Sequence, residues 1–385
     1  MEKVRFGIIG IGNMGSSHAK WLLKDIQGAE LTAICDTSVD RLNWAKTNLS
    51  DDVRIFQDTN TFFASRVMDA VLIATPHYDH PPLAIRAFQE GYHVLVEKPA
   101  GVHTKGVREM NAAAERSGKM FGIMYNQRTN PLYQKLRELV QSGELGEIRR
   151  TNWIITNWYR PQSYYDSGGW RATWVGEGGG VLLNQDPHQL DLWQWTIGMM
   201  PKRVRAFCHF GKYRNIEVED DVTAYVEYEN GASGLFVTTV GEAPGTNRFE
   251  ITGDNGKVLI EDDALTFWKL RVPEPQFNKE WTRGFGSPEC WKIDIPTKGK
   301  TTAHPGILQN FTNALLKNEA LLAPGEEGIH GLTLSNAMHL SSWLDDWVEL
   351  PLDEELYYNI LQKKIKNSNS QKVAGGKVLD VSETH

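Results

Sequence analysis

The chain has 385 residues, which suits two domains better than one compact core. Hydrophobic residues make up 41% and charged residues 23%, as in an ordinary globular protein, and the net charge of −7 argues against a nucleic-acid-binding surface. The three cysteines are far apart and odd in number, which argues against a disulfide framework and fits a reducing compartment. Because no apolar run approaches the length of a membrane span and the first residues do not resemble a signal peptide, we expect a cytoplasmic protein without a membrane partner.

The first part of the chain alternates buried strands with helices. The run VRFGIIGIG, from residue 4 to residue 12, is apolar and ends in glycines, which is typical of a buried parallel strand. Similar runs occur at ELTAICD, DAVLIATP, HVLVEKP and MFGIMYN, with helical segments between them. These repeated units predict an α/β domain over residues 1–126, with a doubly wound parallel sheet and helices on both faces.

The pattern changes after residue 126. Segments such as DVTAYVEYENGASGLFVTTV and RFEITGDNGKVLIED alternate apolar and polar residues and contain ENG and DNG turns. Such alternation is typical of antiparallel strands with one face in water. We therefore predict an α+β domain with a large, mostly antiparallel open sheet over residues 127–365, followed by a polar tail over residues 366–385.

The motif GIGNMG follows the first strand and opens a helix. It has the G-x-G-x-x-G spacing, which permits a tight turn and a close approach of the backbone to a pyrophosphate. This context predicts a dinucleotide site, with no metal ion required. The residues expected to hold the cofactor here are Gly10, Gly12, Asn13, Met14 and Gly15.

An acidic residue, Asp36, ends the second strand 21 residues after Gly15. Its carboxylate would accept hydrogen bonds from the adenosine ribose and repel a 2′-phosphate, so the pattern favours NAD over NADP. Arg41 follows one helical turn later. It would stack on the adenine or hold a phosphate, which keeps NADP open, or it would simply lie on a solvated helix face.

Two further strand ends lie at the same predicted sheet edge, where ligands bind in this architecture. The segment after the first of them contributes Thr75, Pro76 and His80, which we expect to line the cofactor. The second ends in Glu97 and Lys98. A partly desolvated lysine at this place suits hydrogen bonding to a reacting oxygen, and Glu97 would orient it or contact the nicotinamide ribose. The alternative is a lysine that faces solvent after a strand.

These segments, together with WRATW and GGGVLLNQDPHQLDLWQW, occur in an order that resembles the Gfo/Idh/MocA family over about residues 4 to 360. The resemblance implies an N-terminal Rossmann domain and a C-terminal domain whose open sheet makes homodimer or homotetramer contacts. It also implies NAD(P)-dependent oxidation or reduction of sugars, cyclitols and related polyols.

Carried over to this chain, the resemblance implies that Lys98 holds and polarises the reacting oxygen while His188 exchanges its proton. Other matching positions line the cleft between the domains, where Asn126 would meet the cofactor. The arginines would bind an anionic substrate group or an acidic neighbour in the protein, and Arg171 would alternatively meet the nicotinamide amide. The further positions expected to line the cleft are Asn126, Arg128, Trp170 and Arg171.

One position departs from the family's pattern, since many members carry Asp where this chain has Asn184. An amide cannot take a proton, although it can donate to one substrate hydroxyl and accept from another, so we expect proton transfer to depend more on His188. Asp191 follows His188 by three residues on the same helix face. We expect it to bind a substrate hydroxyl or orient the imidazole, with helix N-terminal charge compensation as the alternative.

The resulting prediction is an NAD(P)-dependent oxidoreductase that transfers a hydride at a secondary alcohol or ketone of a sugar, sugar derivative or cyclitol. Two alternatives stay open at this point. A glycoside hydrolase that oxidises C3 transiently on bound NAD would show the same residues. A non-catalytic sugar or dinucleotide sensor would use the same fold, although the presence of both Lys98 and His188 argues against it.

Overall fold

The computed structural model describes residues 2–368, so most of the predicted tail lies outside the described residues. Within these residues the first sheet has six parallel strands in the order β3-β2-β1-β4-β5-β6, with helices α1 to α5 between them. The predicted doubly wound Rossmann sheet is therefore confirmed. The strands are β1 (Val4–Ile9), β2 (Ala29–Cys35), β3 (Arg54–Phe56), β4 (Ala70–Ile73), β5 (His93–Val96) and β6 (Phe121–Ile123), and the helices are α1 (Asn13–Lys24), α2 (Val39–Asn48), α3 (Thr59–Ala64), α4 (His80–Gln89) and α5 (Thr104–Ser117).

The second sheet has nine strands within residues 2–368, in the order β14-β13-β12-β11-β7-β10-β9-β8-β15. Its described pairs are antiparallel except for β7 with β10, which confirms the predicted mostly antiparallel sheet. The strands are β7 (Ile148–Ile155), β8 (Arg203–Phe210), β9 (Glu219–Glu227), β10 (Ser233–Thr239), β11 (Asn247–Gly253), β12 (Gly256–Glu261), β13 (Ala264–Leu270), β14 (Cys290–Ile295) and β15 (Val348–Glu349).

Helices cover one face of this sheet and connect it to the first. Inside, Trp153 stacks on Phe249 with ring centroids 4.2 Å apart, and Trp193 stacks on Phe236 at 5.3 Å, so these tryptophans serve packing. The helices of this part are α6 (Pro131–Gln141), α7 (Gln162–Asp166), α8 (Pro187–Ile197), α9 (Glu274–Glu280), α10 (Ala303–Lys317), α11 (Gly328–Leu344) and α12 (Glu354–Lys366).

The chain returns to its first sheet late in the sequence. Helix α10 packs against α1 and β1, and α11 packs against α5, α8 and β8. The chain thus crosses between the two sheets more than once, and the division at residue 126 stays a prediction. None of the helices in residues 2–368 combines the length and the apolar character that a bilayer crossing requires.

A buried ion pair joins the segment after β6 to helix α8. The guanidinium of Arg128 donates from Nε and Nη2 to the two carboxylate oxygens of Asp191, at 2.8 and 2.7 Å, and both side chains are almost completely buried. Arg128 also contacts Glu327. The predicted substrate contacts of Arg128 and Asp191 are therefore corrected, since each side chain already satisfies the other and is sealed from the cleft. Arg128 has the acidic protein neighbour that the sequence left as its alternative.

Breaking this pair from one side should destabilise the fold. We expect Asp191→Ala to lower the free energy of unfolding by about 3–5 kcal/mol, because it leaves a buried guanidinium without its main partner. Glu138→Ala is the control, because it removes only the exposed ion pair with Lys135. It should lower the free energy of unfolding by less than about 1 kcal/mol. Urea unfolding followed by circular dichroism measures both. Equal losses in the two variants would contradict the structural role of Asp191.

Candidate active site

The glycine motif forms a tight turn between β1 and α1. A Cβ atom on Gly15 would lie 1.8 Å from the backbone oxygen of Gly10, so the helix can begin this close to the strand only with glycine there. A Cβ on Gly12, in contrast, would stand in open space, and Asn13 and Met14 are the first two residues of the helix beside it. This arrangement leaves room for a ligand against the first turn of α1, where the backbone N–H groups favour negative charge.

Asp36 holds the motif from the end of β2. Its carboxylate accepts from the backbone N–H of Ile11 at 2.7 Å and from that of Ser38 at 2.8 Å. Each carboxylate oxygen thus has one protein donor and keeps acceptor capacity for a ribose hydroxyl. Arg41 lies half-buried on α2, one turn further along.

Three buried polar atoms at the carboxyl edge of the first sheet have no hydrogen-bond partner among the described residues. They are Asn13 Oδ1, Thr75 Oγ1 and Asn126 Oδ1, and Pro76 lies exposed next to Thr75. Buried polar atoms ordinarily find partners, so these positions fit a polar ligand that supplies hydrogen bonds. Each of the three residues follows a strand of the first sheet, and their contact with a dinucleotide stays a prediction.

Two predicted cofactor contacts are corrected, because their side chains are occupied within the protein. The ring nitrogens of His80 lie 2.8 Å from the backbone oxygens of Thr75 and Pro99, so His80 ties two strand ends together. Glu97 accepts from His18 Nε2 at 2.6 Å and from the backbone N–H of Lys98 at 3.1 Å. Burial alone would raise the pKa of Glu97, but its hydrogen bond with His18 lowers that pKa to about 2. Glu97 thus holds the backbone of Lys98, and its role in orienting the lysine side chain stays a prediction.

Lys98 reaches from the first sheet to the second part of the chain. Its ammonium Nζ donates to the backbone oxygen of Asn184 at 2.8 Å. Burial lowers the pKa of Lys98, while the carboxylates of Glu97 and Glu177 act in the opposite direction. The lysine is therefore a fixed hydrogen-bond donor in the cleft, and the solvent-facing alternative is wrong.

The segment that meets Lys98 is held from behind by Glu219 of β9. This buried carboxylate accepts from the backbone N–H groups of Gly180 and Leu182 at 2.9 and 3.0 Å. A Cβ on Gly180 would lie 2.0 Å from the backbone oxygen of Glu219, so the glycine is required by the protein's own backbone. Residues Val181–Gln185 then form a single π-helical turn before α8, a feature frequent at functional sites.

His188 lies in the first turn of α8, next to this π-helical turn. Burial, together with the nearby charges of Lys98 and His304, lowers the pKa of His188 well below its ordinary value. Its Nδ1 atom is buried without a protein partner among the described residues, and its ring packs edge-on against Tyr125. At neutral pH the imidazole is uncharged and has a nitrogen lone pair that can accept a proton.

The side-chain amide of Asn184 enters a polar cluster. Its amide nitrogen contacts Glu177 Oε1 and lies 3.3 Å from the hydroxyl of Tyr164. Arg171 donates to the same hydroxyl at 2.9 Å, and its guanidinium lies 4.6 Å from the ring centroids of both Tyr164 and Trp170. The predicted cleft residues Trp170, Arg171 and Asn184 are therefore brought together.

The sequence interpretation missed Tyr164, Glu177, Asp186 and Glu219. No spacing rule identifies the first two, because Tyr164 of α7 and Glu177 of the following loop reach Asn184 from 20 and 7 residues away along the chain. A signal for Asp186 was present, since an acid directly precedes Pro187 at the start of a helix. Burial raises the pKa of Asp186 to about 8, so a neutral carboxylic acid lies two residues from His188 near pH 7.

Asp186 should make stability fall as the pH rises. An unfolded Asp ionises near pH 4, whereas the folded one keeps its proton until about pH 8. Between these pH values only the unfolded state has released the proton. Each further pH unit therefore lowers the free energy of unfolding. We therefore compare the free energy of unfolding of Asp186→Asn with that of the wild type. The advantage of the variant should be roughly 2–4 kcal/mol larger at pH 8.5 than at pH 5. Urea unfolding at both pH values measures this difference, and parallel pH dependences would contradict it.

Comparison with known proteins agrees with this architecture. Residues 4–125 match the model of an oxidoreductase family with an NAD-binding Rossmann fold, and residues 133–259 match the GFO/IDH/MocA C-terminal domain. The chain is 25% identical to scyllo-inositol 2-dehydrogenase (NAD(+)) of Bacillus subtilis, over 67% of this chain and 74% of that protein.

Two solved structures resemble the whole fold. The WlbA dehydrogenase of Chromobacterium violaceum, in complex with NADH and UDP-GlcNAcA, has a TM-score of 0.78 and 30% identity over 92% of this chain and 97% of its own. The WlbA dehydrogenase of Bordetella pertussis, with the same two ligands, has a TM-score of 0.77 and 28% identity over 91% of this chain and 100% of its own. The chain belongs to the Gfo/Idh/MocA family of NAD-binding oxidoreductases.

Proposed function

We propose that this protein is an NAD(H)-dependent oxidoreductase that transfers a hydride at one secondary alcohol or ketone of a sugar or cyclitol. The observation that carries the proposal is the hydrogen bond from Lys98 Nζ to the backbone oxygen of Asn184 at 2.8 Å, which brings the lysine to the segment that contains His188. The unpartnered polar atoms at the carboxyl edge of the first sheet support it. The relatives support it, since their names are those of dehydrogenases. None of these names supports the glycoside hydrolase, which we do not propose.

The two side chains divide the work on the substrate oxygen. The glycine turn and Asp36 would hold NAD, which would supply a hydride acceptor for oxidation and, when reduced, a hydride donor for the reverse direction. Lys98, fixed by Glu97 and by the Asn184 backbone, donates a hydrogen bond to the oxygen and stabilises its developing negative charge. His188 is neutral, accepts the hydroxyl proton during oxidation and gives it back during reduction.

The charges around the cleft favour a substrate that carries an acidic group. Arg160 has a buried Nε atom without a partner among the described residues, and its charge acts on the pKa of Lys98. Arg171 faces the same Tyr164 ring from 4.6 Å, while Arg160 lies 5.4 Å from it. Two guanidinium groups beside Lys98 suit a carboxylate or phosphate. The similar WlbA dehydrogenases were crystallised with an acidic nucleotide sugar, UDP-GlcNAcA.

A second copy of the chain is proposed to cover the open face of the second sheet. Phe207 and Tyr225 lie on that face, with 53% and 41% of their surfaces exposed. They belong to neighbouring strands and point to the same side, because Tyr225 pairs with Arg205 two residues from Phe207. A homodimer or homotetramer through this sheet would remove both rings from water.

The first experiment tests the two catalytic residues. Lys98→Met and His188→Asn should each lower turnover by about 10²-fold or more, while the affinity for NADH stays near wild type. NADH absorbance over a panel of inositols, aldoses, uronic acids and nucleotide sugars measures turnover, and tryptophan fluorescence measures binding. Lys46→Met, an exposed lysine on α2, is the matched control. Unchanged turnover in both variants, or no turnover by the wild type on the whole panel, would overturn the proposed function.

The second experiment tests the acidic substrate. Arg160→Met should raise the Michaelis constant for a substrate with a carboxylate by about 10-fold or more, because a charge-assisted hydrogen bond is lost, and should change that of the neutral analogue by less than about 2-fold. Arg271→Met is the matched control, since Arg271 lies over the Trp291 ring at 5.3 Å as Arg160 lies over Trp158 at 5.4 Å. Equal changes for acidic and neutral substrates would contradict an anionic subsite.

A further inference from the structure

Glu177 is a buried carboxylate that the proposed mechanism does not use. It lies in the segment between α7 and the π-helical turn and is 1% exposed. One oxygen accepts from the backbone N–H of Ala172 at 2.5 Å, and the other contacts the side-chain amide of Asn184 and lies 3.9 Å from Arg171 Nη1. Burial raises the pKa of Glu177 above its ordinary value, although the charge of Arg171 and the two hydrogen bonds act in the opposite direction. Both oxygens nevertheless face N–H donors, as an ionised carboxylate requires.

These contacts determine which end of the Asn184 amide faces the protein. An ionised carboxylate only accepts hydrogen bonds, so Glu177 selects the NH₂ group of Asn184. The second hydrogen of that group is directed to the hydroxyl of Tyr164, at 3.3 Å. Arg171, which has only donors, already donates to this hydroxyl oxygen, so the oxygen acts as an acceptor there.

The remaining polar atom of the side chain is the carbonyl oxygen of Asn184. Its Oδ1 atom has no protein partner among residues 2–368, and it is not sealed from solvent. The backbone oxygen of the same residue accepts from Lys98 Nζ, so Oδ1 belongs to a residue that already contacts the group that would hold the reacting oxygen. Asn184 therefore presents an acceptor, and not a donor, beside that position.

We propose that Glu177 is a positioning residue that locks Asn184 as a hydrogen-bond acceptor for a substrate hydroxyl next to the reacting carbon. This inference rests on the proposed function and names a requirement of its substrate: a free hydroxyl that donates at this position. A methyl ether or a deoxy analogue lacks the donor and would leave Oδ1 unpaired in the closed cleft, which costs affinity. A polar site built for a hydroxyl rejects the analogue without it far better than an apolar pocket does.

Glutamine is the substitution that isolates this role. The glutamine side chain would keep the volume of Glu177, but the Ala172 N–H and the Asn184 amide donate to two different oxygens of Glu177, and the single carbonyl oxygen of glutamine can occupy only one of those positions. In Glu177→Gln we therefore expect the Asn184 amide to lose its fixed orientation. The ratio of kcat/KM between a substrate and its deoxy or O-methyl analogue should fall by about 10-fold or more. An unchanged ratio would overturn the proposal.

A second substitution should rescue the first. An aspartate in place of Asn184 would accept hydrogen bonds with both of its oxygens, so it would need no neighbour to orient it. Glu177→Gln/Asn184→Asp should therefore recover the wild-type ratio to within about 3-fold, whereas a merely structural role for Glu177 would leave the double variant as poor as the single one. Equal ratios in the single and double variants would overturn the proposal.

Urea unfolding of the variants tests the Glu177–Asn184 contact separately from the proposed function, because the measurement needs no substrate. Asn184→Asp alone places two carboxylates in contact, so its urea midpoint should shift clearly below that of the wild type at pH 8. Adding Glu177→Gln should move the midpoint back, with a strongly non-additive cycle. Asp220→Asn is the control, since this buried carboxylate binds the Lys212, Tyr213 and Arg214 backbone and does not contact Asn184.

The two measurements have distinct outcomes. A non-additive stability cycle together with no turnover by the wild type on any polyol supports the Glu177–Asn184 contact and overturns the proposed function alone. If the shifts of the urea midpoint add for Glu177→Gln and Asn184→Asp, as they should for the control pair Asp220→Asn and Asn184→Asp, the positioning role of Glu177 is overturned. This holds even if the enzyme oxidises sugars. A non-additive cycle supports both the proposed function and the positioning role if Glu177→Gln loses the selectivity against the analogue and the double variant recovers it.

Discussion

The hydrogen bond from Lys98 Nζ to the backbone oxygen of Asn184 is the contact on which the candidate site depends. It joins the end of a buried parallel strand to a π-helical turn more than eighty residues later, and it brings the lysine and the histidine of the proposed mechanism to one cleft. Each end is fixed by a buried carboxylate. Glu97 binds the backbone of Lys98, and Glu219 binds the backbone of Gly180 and Leu182. The geometry of the cleft is thus determined by backbone contacts more than by the reacting side chains.

This construction explains the unusual ionisation within the site. Burial lowers the pKa of Lys98 and His188 and raises that of Asp186, so the charged form is disfavoured in all three. Glu97 is the exception, because His18 compensates its burial directly. The same low-dielectric surroundings strengthen each remaining electrostatic contact, so the few charges that persist have large effects on a bound oxygen.

The sequence was sufficient to predict the features that depend on local patterns. Buried strands, the glycine turn and the change to antiparallel alternation identified both sheets. The predicted roles of Lys98, Asn184 and His188 came from the family resemblance, and the structure brings Lys98 into contact with Asn184. Features that depend on distant partners were out of reach. Helical spacing correctly placed Asp191 near His188 along the chain, but it could not show that Arg128 occupies that carboxylate from another element. Glu177 and Tyr164 meet Asn184 because the loop after α7 folds back, and no periodicity in the sequence predicts the path of that loop.

Buried charges require a scaffold that excludes water, and the aromatic residues of this chain supply it. Behind Glu219, the imidazole of His339 lies 2.9 Å from the carboxylate and stacks on Trp343 at a centroid distance of 5.4 Å. Trp343 in turn stacks on Tyr357 of α12 at 5.2 Å. If this column loosened, water would reach Glu219, its hold on the π-helical turn would weaken, and the Asn184 oxygen would no longer be fixed against Lys98. Trp343 therefore matters to the chemistry through packing, because excluding water from Glu219 helps to sustain the ionisation states of the cleft.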